Sequence, residues 1–405
     1  MSRSPLTLAL GLLASLAVTT SCSSPSAPSD DDDSAQDSPE ADSAAETATA
    51  SEDSPDDGSS AFTIEDRGSY DSPWALEFLP GTEQMLITTQ TGELYLREMD
   101  GSGDIAVEGV PEDIVVEGQG GLGDVVAAPD FEESQRVYLS WVTSDEDGTG
   151  AVVGHAELNE SDSGAELEDL TVIWEQTPFT SGSGHFSHRM AFSPDGEHLF
   201  VTSGDRQEMD PAQDLGSSLG KIMRLTPEGE PAQGNPFADE GGVAEEIWTY
   251  GHRNALGIEF APDGQLWVSE MGPEGGDELN AIEEGDNYGW PEASNGYHYA
   301  GGEIPDHTEP DDFTAPVAWW TPSISPGSLM IYDGELFEDW QGDAFLGALS
   351  GEALVRVGLD GQSVEDEEIW DMEERIRDVA EAPDGSIWLI EDGDDAALLQ
   401  VTPAE

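Results

Sequence analysis

The chain is short of cations. Its 405 residues include 12 Lys+Arg against 88 Asp+Glu, a formal charge of −76, and its single lysine is Lys221. No basic stripe exists to displace the counterions of a nucleic acid, so a nucleic-acid partner is excluded. There is one cysteine, Cys22, which rules out an internal disulfide. The one long apolar stretch, from Leu6 to Val18, is too short to span a bilayer. A charge of this size strains a compact fold by self-repulsion in dilute buffer, whereas near 1 M salt the Debye length falls to about 3 Å and the repulsion is screened. The composition reads as adaptation to a salty environment; an acidic surface evolved for a cationic partner is the other reading.

What is present begins with an export signal. The opening MSRSPLTLALGLLASLAVTTSC carries one arginine, then the apolar stretch, then small residues ending at Cys22. Thr19, Thr20, Ser21 and Cys22 resemble a bacterial lipobox, with Thr19 where an aliphatic residue is usual. The expectation is a signal peptide over 1–22, lipidation of Cys22, and export to the periplasmic or extracellular face with a lipid anchor as the only membrane contact. Residues 23–61 are Ser, Ala, Asp, Glu and Pro, with an acidic run at Asp30, Asp31, Asp32 and Asp33. Low apolar content and like charge make that segment a disordered linker.

From Phe62 the texture changes to short β-rich runs punctuated by Gly, Pro, Asp and Asn, and residues 62–405 read as one all-β domain. A phrase recurs: LEFLPGTEQMLITTQTG, VVAAPDFEESQRVYLSW, MAFSPDGEHLFVTSGD, IEFAPDGQLWVSEMG and VAEAPDGSIWLIEDG. Each joins an apolar strand, a Pro-Asp-Gly-like turn and a second apolar strand. The prolines are Pro80, Pro129, Pro194, Pro262 and Pro383, and the long last interval hides a degenerate copy in SISPGSLMIYDGELFEDWQGDAFLGAL, around Pro326. Six such units predict a six-bladed β-propeller, with a solenoid of strands as the alternative.

A propeller assigns no chemistry, so the loops must. The stretch GHFSHRM, followed by SGDR, gathers His185, His188, Arg189, Asp205 and Arg206 in a chain with only 7 His. Taken alone, these residues fit a catalytic base with its partners, a metal site, or a turn that carries histidines. Other unusual phrases are GQGGLGDVV at Gly118, YGHRNALG at Tyr250, EMGPEGGDELNAIEEGDNYGWP at Glu270 and ERIRDVAEAPDG at Glu374.

Together and in this order, these phrases resemble the soluble pyrroloquinoline-quinone (PQQ) dependent sugar dehydrogenases of the glucose/sorbosone and aldose sugar dehydrogenase type. The resemblance implies oxidation of an aldose at C1 to the lactone, with a hydride passed to PQQ and electrons handed to an external acceptor, a cytochrome or quinone. It also implies roles. His185 matches the family's general base, Asp205 its orienting carboxylate, and Arg253 the cation beside the reacting oxygen. Gln119, Arg253, Asn254, Tyr299, Arg375 and Arg377 match cofactor contacts, with Ser323 a looser placement. Calcium is the implied metal, held by the carbonyls of Gly272 and Pro273, with Glu278 and the carbonyl of Tyr288 as a second, structural site; oxygen donors suit such a hard cation.

Two positions depart from the family pattern. Ser350 stands where a PQQ-contacting lysine is usual, and His188 stands where a small residue is usual, which would narrow the sugar pocket or add a donor. The competing readings are a redox-inactive surface propeller that binds carbohydrate or protein, and a calcium-dependent lactonase-type hydrolase with its metal central in the mouth and no arginine pair.

Overall fold

A computed structural model describes residues 61–161, 164–307 and 312–404. The expected signal segment, the lipidation at Cys22 and the linker up to residue 60 lie outside the described residues. The described chain is nearly all β. It forms four four-stranded sheets and one eight-stranded sheet. The eight-stranded sheet consists of two antiparallel four-stranded meanders, covering 73–108 and 122–175, joined where strand Asp104–Glu108 runs parallel to strand Gly164–Glu175.

Every recurrent phrase becomes the first hairpin of one four-stranded unit. The first strands are Pro73–Phe78, Leu122–Ala127, Ser187–Phe192, Ala255–Phe260, Met330–Ile331 and Ile376–Glu381. Their partners are Gln84–Thr89, Arg136–Ser144, Leu199–Ser203, Leu266–Glu270, Ala344–Ala348 and Ile387–Glu391, all antiparallel. The Pro-Asp-Gly turns work as the sequence implies. The N–H of Gly196 closes onto the carbonyl of Ser193 at 2.8 Å, and a φ of 71° at Gly196 is a conformation that glycine adopts without a Cβ clash. The degenerate sixth copy lies where expected, but Pro326 is not its turn. Pro326 bridges to Ala348, and the connection instead runs through the short 3-10 helix Glu338–Trp340.

The first strands pack on one another in a closed cycle, each against the next and the last against the first. The second strands lie behind them, covered on both faces. Leu86, Leu139, Val201, Val268, Leu346 and Leu389, one from each second strand, are all fully buried. This double coverage explains why these strands read as apolar runs rather than as an alternation. Strand Phe62–Tyr70, at the start of the described residues, completes a sheet whose other strands end at Pro403, so both ends of the domain share one sheet.

Five first strands carry a register shift against their partner. In three of them a hydroxyl on the second strand takes the displaced N–H. Ala75 donates to Thr88 Oγ1 at 3.0 Å, Asp124 to Ser140 Oγ at 2.9 Å and Arg189 to Thr202 Oγ1 at 2.9 Å. A bulge re-aims the next side chain and leaves the residues before the strand free to form a loop. The candidate site is built from those loops.

Candidate active site

GHFSHRM leads into strand Ser187–Phe192, and SGDR leaves strand Leu199–Ser203, its antiparallel partner. Because Ser187 pairs with Ser203, the hairpin carries both loops to the same end. His185 Nδ1 lies 2.7 Å from Asp205 Oδ1, with the His185 residue 7 % exposed and Asp205 fully buried. An ionised carboxylate only accepts, so the ring proton sits on Nδ1 and the Nε2 lone pair is the basic atom. Asp205 is fixed in turn by the N–H of Gln207 and by Trp290 Nε1, each at 2.8 Å. Burial pulls the His185 pKa below its ordinary 6.5, opposed by the Asp205 hydrogen bond and reinforced by the charge on Arg253. The ring is therefore a neutral base at neutral pH.

The loop is held in an unfavourable backbone conformation. His185, Ser187 and His188 have φ of 51°, 60° and 60°, where side chains are strained. Arg206 pins it, donating to the carbonyls of Gly184 at 2.9 Å and Gly182 at 2.7 Å, with its guanidinium 3.7 Å from the centre of the Phe186 ring. Gly204 is required by contact as well, since a Cβ there would stand 2.1 Å from the carbonyl oxygen of His185.

Beside this loop opens a cleft of about 460 Å³ lined by Trp74, Gln119, Asn254, Tyr299, Arg375 and Arg377 among others. Five of the seven residues proposed from sequence as cofactor contacts thus meet in one cavity. Gln119 also joins the cleft to the base, because its Oε1 accepts the N–H of His185 at 2.6 Å. Arg377 donates through Nε and Nη2 to Asp392 Oδ1 at 2.9 and 2.6 Å, and Arg375 through Nε to Asp392 Oδ2 at 2.7 Å. A register shift between Ile376 and Asp378 lets both arginines reach the same carboxylate. Burial works against the Asp392 charge, but the Arg377 and Arg375 guanidiniums outweigh it and hold the carboxyl below its usual range. One carboxylate between two guanidiniums leaves a net positive wall.

Arg253 and Ser323 lie just outside that cleft. Arg253 has its backbone N–H on Glu270 Oε2 at 2.7 Å and its Nη1 on the carbonyl of Met271 at 2.9 Å, while its Nε is buried without a hydrogen-bond partner. The Ser323 hydroxyl donates to Asp277 Oδ2 at 2.6 Å, and Ser323 lines an adjoining groove with Ser325 and Ser350 that shares Tyr299 with the cleft. Asp277 also accepts three backbone N–H groups, from Gly272, Ile324 and Ser325, so it needs an acceptor-only side chain and takes the serine as a further donor.

The four residues expected to hold metal, Gly272, Pro273, Glu278 and Tyr288, line one small cavity together with Arg253 and Glu270. Its volume of about 10 Å³ is room for a single water-sized guest. Burial beside the Glu270 and Asp277 charges pushes the Glu278 carboxyl well above its usual range, and Asn280 Oδ1 nearby is buried without a hydrogen-bond partner. Both features fit a hard cation ligated by oxygens. Among the described residues no group of three or more His, Cys, Asp and Glu is arranged to hold a metal.

His188 lines the cleft from a buried, fully packed position. It is 2 % exposed, bonds Ser140 Oγ through Nδ1 at 2.7 Å, and stacks 5.2 Å from Trp74. Burial and the neighbouring Arg189 push its pKa down to about 3, so it is a neutral residue packed into the cleft wall. Several supports escaped the sequence reading. Trp290 anchors Asp205, Asp392 aligns the arginine pair, and Glu270 holds both Arg253 and the His252 ring, the latter at 3.0 Å. Trp290 and Asp392 fall inside the unusual phrases NYGWP and IEDG, but nothing in a phrase tells a buried partner from a loop residue.

A closed ring of β-meanders with a strained histidine loop and a cationic cleft at one mouth is a propeller-type scaffold with a candidate active site. The model of the glucose/sorbosone dehydrogenase family matches residues 70–400, and the chain belongs to that family. It is 38 % identical over 341 residues to the aldose sugar dehydrogenase YliI of Escherichia coli K12, covering 82 % of this chain and 90 % of that protein. The apo crystal structure of the soluble E. coli aldose sugar dehydrogenase superposes with a TM-score of 0.79 at 38 % identity, over 85 % of this chain and 100 % of that one. The PQQ-bound aldose sugar dehydrogenase of Streptomyces coelicolor superposes with a TM-score of 0.69 at 28 % identity, over 84 % of this chain and 98 % of that one.

Proposed function

We propose that this protein is a PQQ- and calcium-dependent aldose dehydrogenase built as a six-bladed β-propeller, which oxidises its sugar at C1 to the lactone. The observation that carries the reading is the meeting of Gln119, Asn254, Tyr299, Arg375 and Arg377 in one cleft whose edge is bonded to the His185–Asp205 pair. PQQ, when bound, supplies a quinone that accepts a hydride, and its carboxylates suit the Arg375 and Arg377 forks. His185 takes the C1 hydroxyl proton on Nε2, and Asp205 steadies the imidazolium that results. Arg253 offers a buried charge to the oxygen that becomes negative. The Gly272 and Pro273 carbonyls would hold the calcium that also binds PQQ, and Glu278 with the Tyr288 carbonyl would hold a second, structural calcium.

Six four-stranded units around one closed cycle support the blade number. Export, a lipid anchor at Cys22 and an external cytochrome or quinone as electron acceptor complete the proposal, resting on the N-terminal sequence and the chemistry of a bound quinone. A lactonase-type hydrolase has no use for an arginine pair aligned by Asp392, and a bare binding module has none for a strained, carboxylate-oriented histidine.

The test is reconstitution of the apo-protein with PQQ and calcium in molar salt, followed by dye reduction with a panel of aldoses. Turnover that needs PQQ supports the reading; a folded, PQQ-saturated sample without turnover overturns it.

A further inference from the structure

One guanidinium touches every four-stranded unit of the domain. Arg189, in strand Ser187–Phe192, donates from Nη1 to Asp124 Oδ1 at 3.0 Å, from Nε to the Leu256 carbonyl at 2.9 Å and from Nη2 to the Gly327 carbonyl at 2.9 Å. Nη2 also pairs with Asp378 Oδ1 at 3.1 Å, and the guanidinium carbon lies 4.1 Å from the centre of the Trp74 ring. Asp124, Leu256, Asp378 and Trp74 sit in the first strands of four other units. Gly327, whose N–H bonds the carbonyl of Gly347, belongs to the remaining one. The contacts occupy all three guanidinium nitrogens in one plane, a pattern an ammonium cannot copy.

These partners are also the walls and supports of the cleft. Trp74 and Leu256 line it. Asp378 directly follows Arg377 in the strand that presents the arginine pair, and it accepts the N–H of Leu76 at 2.8 Å. Asp124 accepts the N–H of Met190 at 2.8 Å, and Arg189 itself is four residues from His185. Two buried carboxylates share a single cation, so its loss leaves like charges facing each other in the interior.

We propose that Arg189 is a positioning residue for the cleft. Its guanidinium sets the spacing between the loop that presents His185, the strand that presents Arg375 and Arg377, and the floor formed by Trp74 and Leu256. Where the clasp matters for catalysis, the proposal rests on the reading of that cleft as the cofactor site.

The test compares wild type, Arg189→Met and Arg189→Lys in molar salt. Hydrogen exchange of the apo-proteins is read by segment, PQQ affinity by titration of tryptophan fluorescence, and kcat and KM at saturating PQQ. Arg189→Met should lose exchange protection at 184–189 and 375–378 together while the outer strand Ser363–Asp371 keeps its own. PQQ affinity should fall about tenfold or more, and kcat toward ~10²-fold, because small displacements of reacting groups are costly. Arg189→Lys, which keeps the charge between Asp124 and Asp378 but not the carbonyl bonds, should recover part of the affinity. A folded Arg189→Met with wild-type exchange in both segments and PQQ affinity within twofold overturns the proposal. If Arg189→Met does not fold, Arg189→Lys decides on the same measurements, and wild-type values for it are the overturning result. If wild type fails to bind PQQ, the functional reading falls, and segment exchange alone then decides the clasp.

Discussion

Four of the six first strands line two cavities of opposite character. Their starts, at Pro73, Trp74, Ser187, His188 and Leu256, line the cleft of about 460 Å³ that carries Arg375 and Arg377. Their ends, at Glu77, Phe78, Phe192, Glu259 and Glu381, line a second cavity of about 580 Å³ whose titratable walls are acidic apart from Arg189, with Asp124, Asp333 and Asp378 beside them. Burial, against the N–H bond from Ala127, pushes Glu77 up to about 8, and burial with the neighbouring carboxylates does the same to Glu259. Of the two cavities, only the first is given a cluster of cations. Arg253, Arg375 and Arg377 face the cleft or its edge and Arg206 pins the base loop, while the far end receives only the inner face of the Arg189 clasp. In a molecule of charge −76 a positive cavity exists only where it is built residue by residue.

The largest test of that contrast is His185→Ala. Loss of a positioned general base should lower kcat by roughly 10²–10⁴-fold while PQQ still binds with its normal absorbance. In wild type the acid limb of the kcat/KM profile should lie below pH 6.5, since burial favours the neutral ring and charging it requires more acid. Retained sugar oxidation in the variant would mean that another group is the base.

The acidic cavity should announce itself in stability rather than in activity. A carboxyl whose pKa is near 8 in the folded state and 4.5 in the unfolded state binds more protons when folded, so stability falls as pH rises from about 4.5 to about 8. Glu77→Gln and Glu259→Gln should each flatten that slope and stabilise the protein above pH 8 by roughly 2–4 kcal/mol, the full shift reduced because both side chains are only part-buried. Denaturant unfolding at pH 5, 7 and 9 reads it, and a variant with the wild-type slope would show those carboxyls to be hydrated. PQQ affinity should stay within about twofold.

At the cationic end, Arg375→Ala and Arg377→Ala should each weaken PQQ binding by about 1.5–3 kcal/mol, the range for hydrogen bonds to charged groups. The Arg377 variant should suffer more, because its guanidinium is better buried, with side-chain exposure of 15 % against 45 %. Equal affinity in either variant and wild type would remove that arginine from the cofactor site.

The repeat was legible in sequence because both halves of each first hairpin are constrained. The turn needs its Pro-Asp-Gly chemistry, and the doubly covered second strand needs apolar residues throughout. The sixth copy was harder to place for the same reason, as its turn is replaced by the connection through Glu338–Trp340. Of the residues gathered at the cleft or its edge, those standing in a recognisable phrase could be singled out from sequence: His185, Asp205, Arg253 and the Arg375–Arg377 pair. What stayed hidden depends on contacts between units far apart in the chain. Arg189 sits in the opening phrase, yet its role comes from partners at Trp74, Asp124, Leu256, Gly327 and Asp378. His188 attracted notice as an added donor, and only the approach of Trp74 and Ser140 shows that it is packing. A Cβ at Gly123 would stand 2.0 Å from its ring, so the neighbouring unit leaves the space that the imidazole fills.

The smallest expected effect comes from adding a cation to the end that already has them. Ser350 is exposed, and its hydroxyl lies 2.8 Å from Ser325 Oγ and donates to the Ser323 carbonyl at 3.2 Å. It lines the groove that shares Tyr299 and Ser325 with the cleft. Ser350→Lys therefore puts an ammonium on a long, mobile stem at the cleft's rim, at the cost of two surface hydrogen bonds. An exposed charge pair contributes about 0.2–1 kcal/mol, so PQQ affinity should rise no more than about fivefold at low salt. The gain should vanish near 1 M salt, where charges beyond about 3 Å are screened. Affinity measured at both ionic strengths separates the outcomes. A gain that survives molar salt would mean the new lysine reaches a desolvated carboxylate, and that the serine here lowers cofactor affinity.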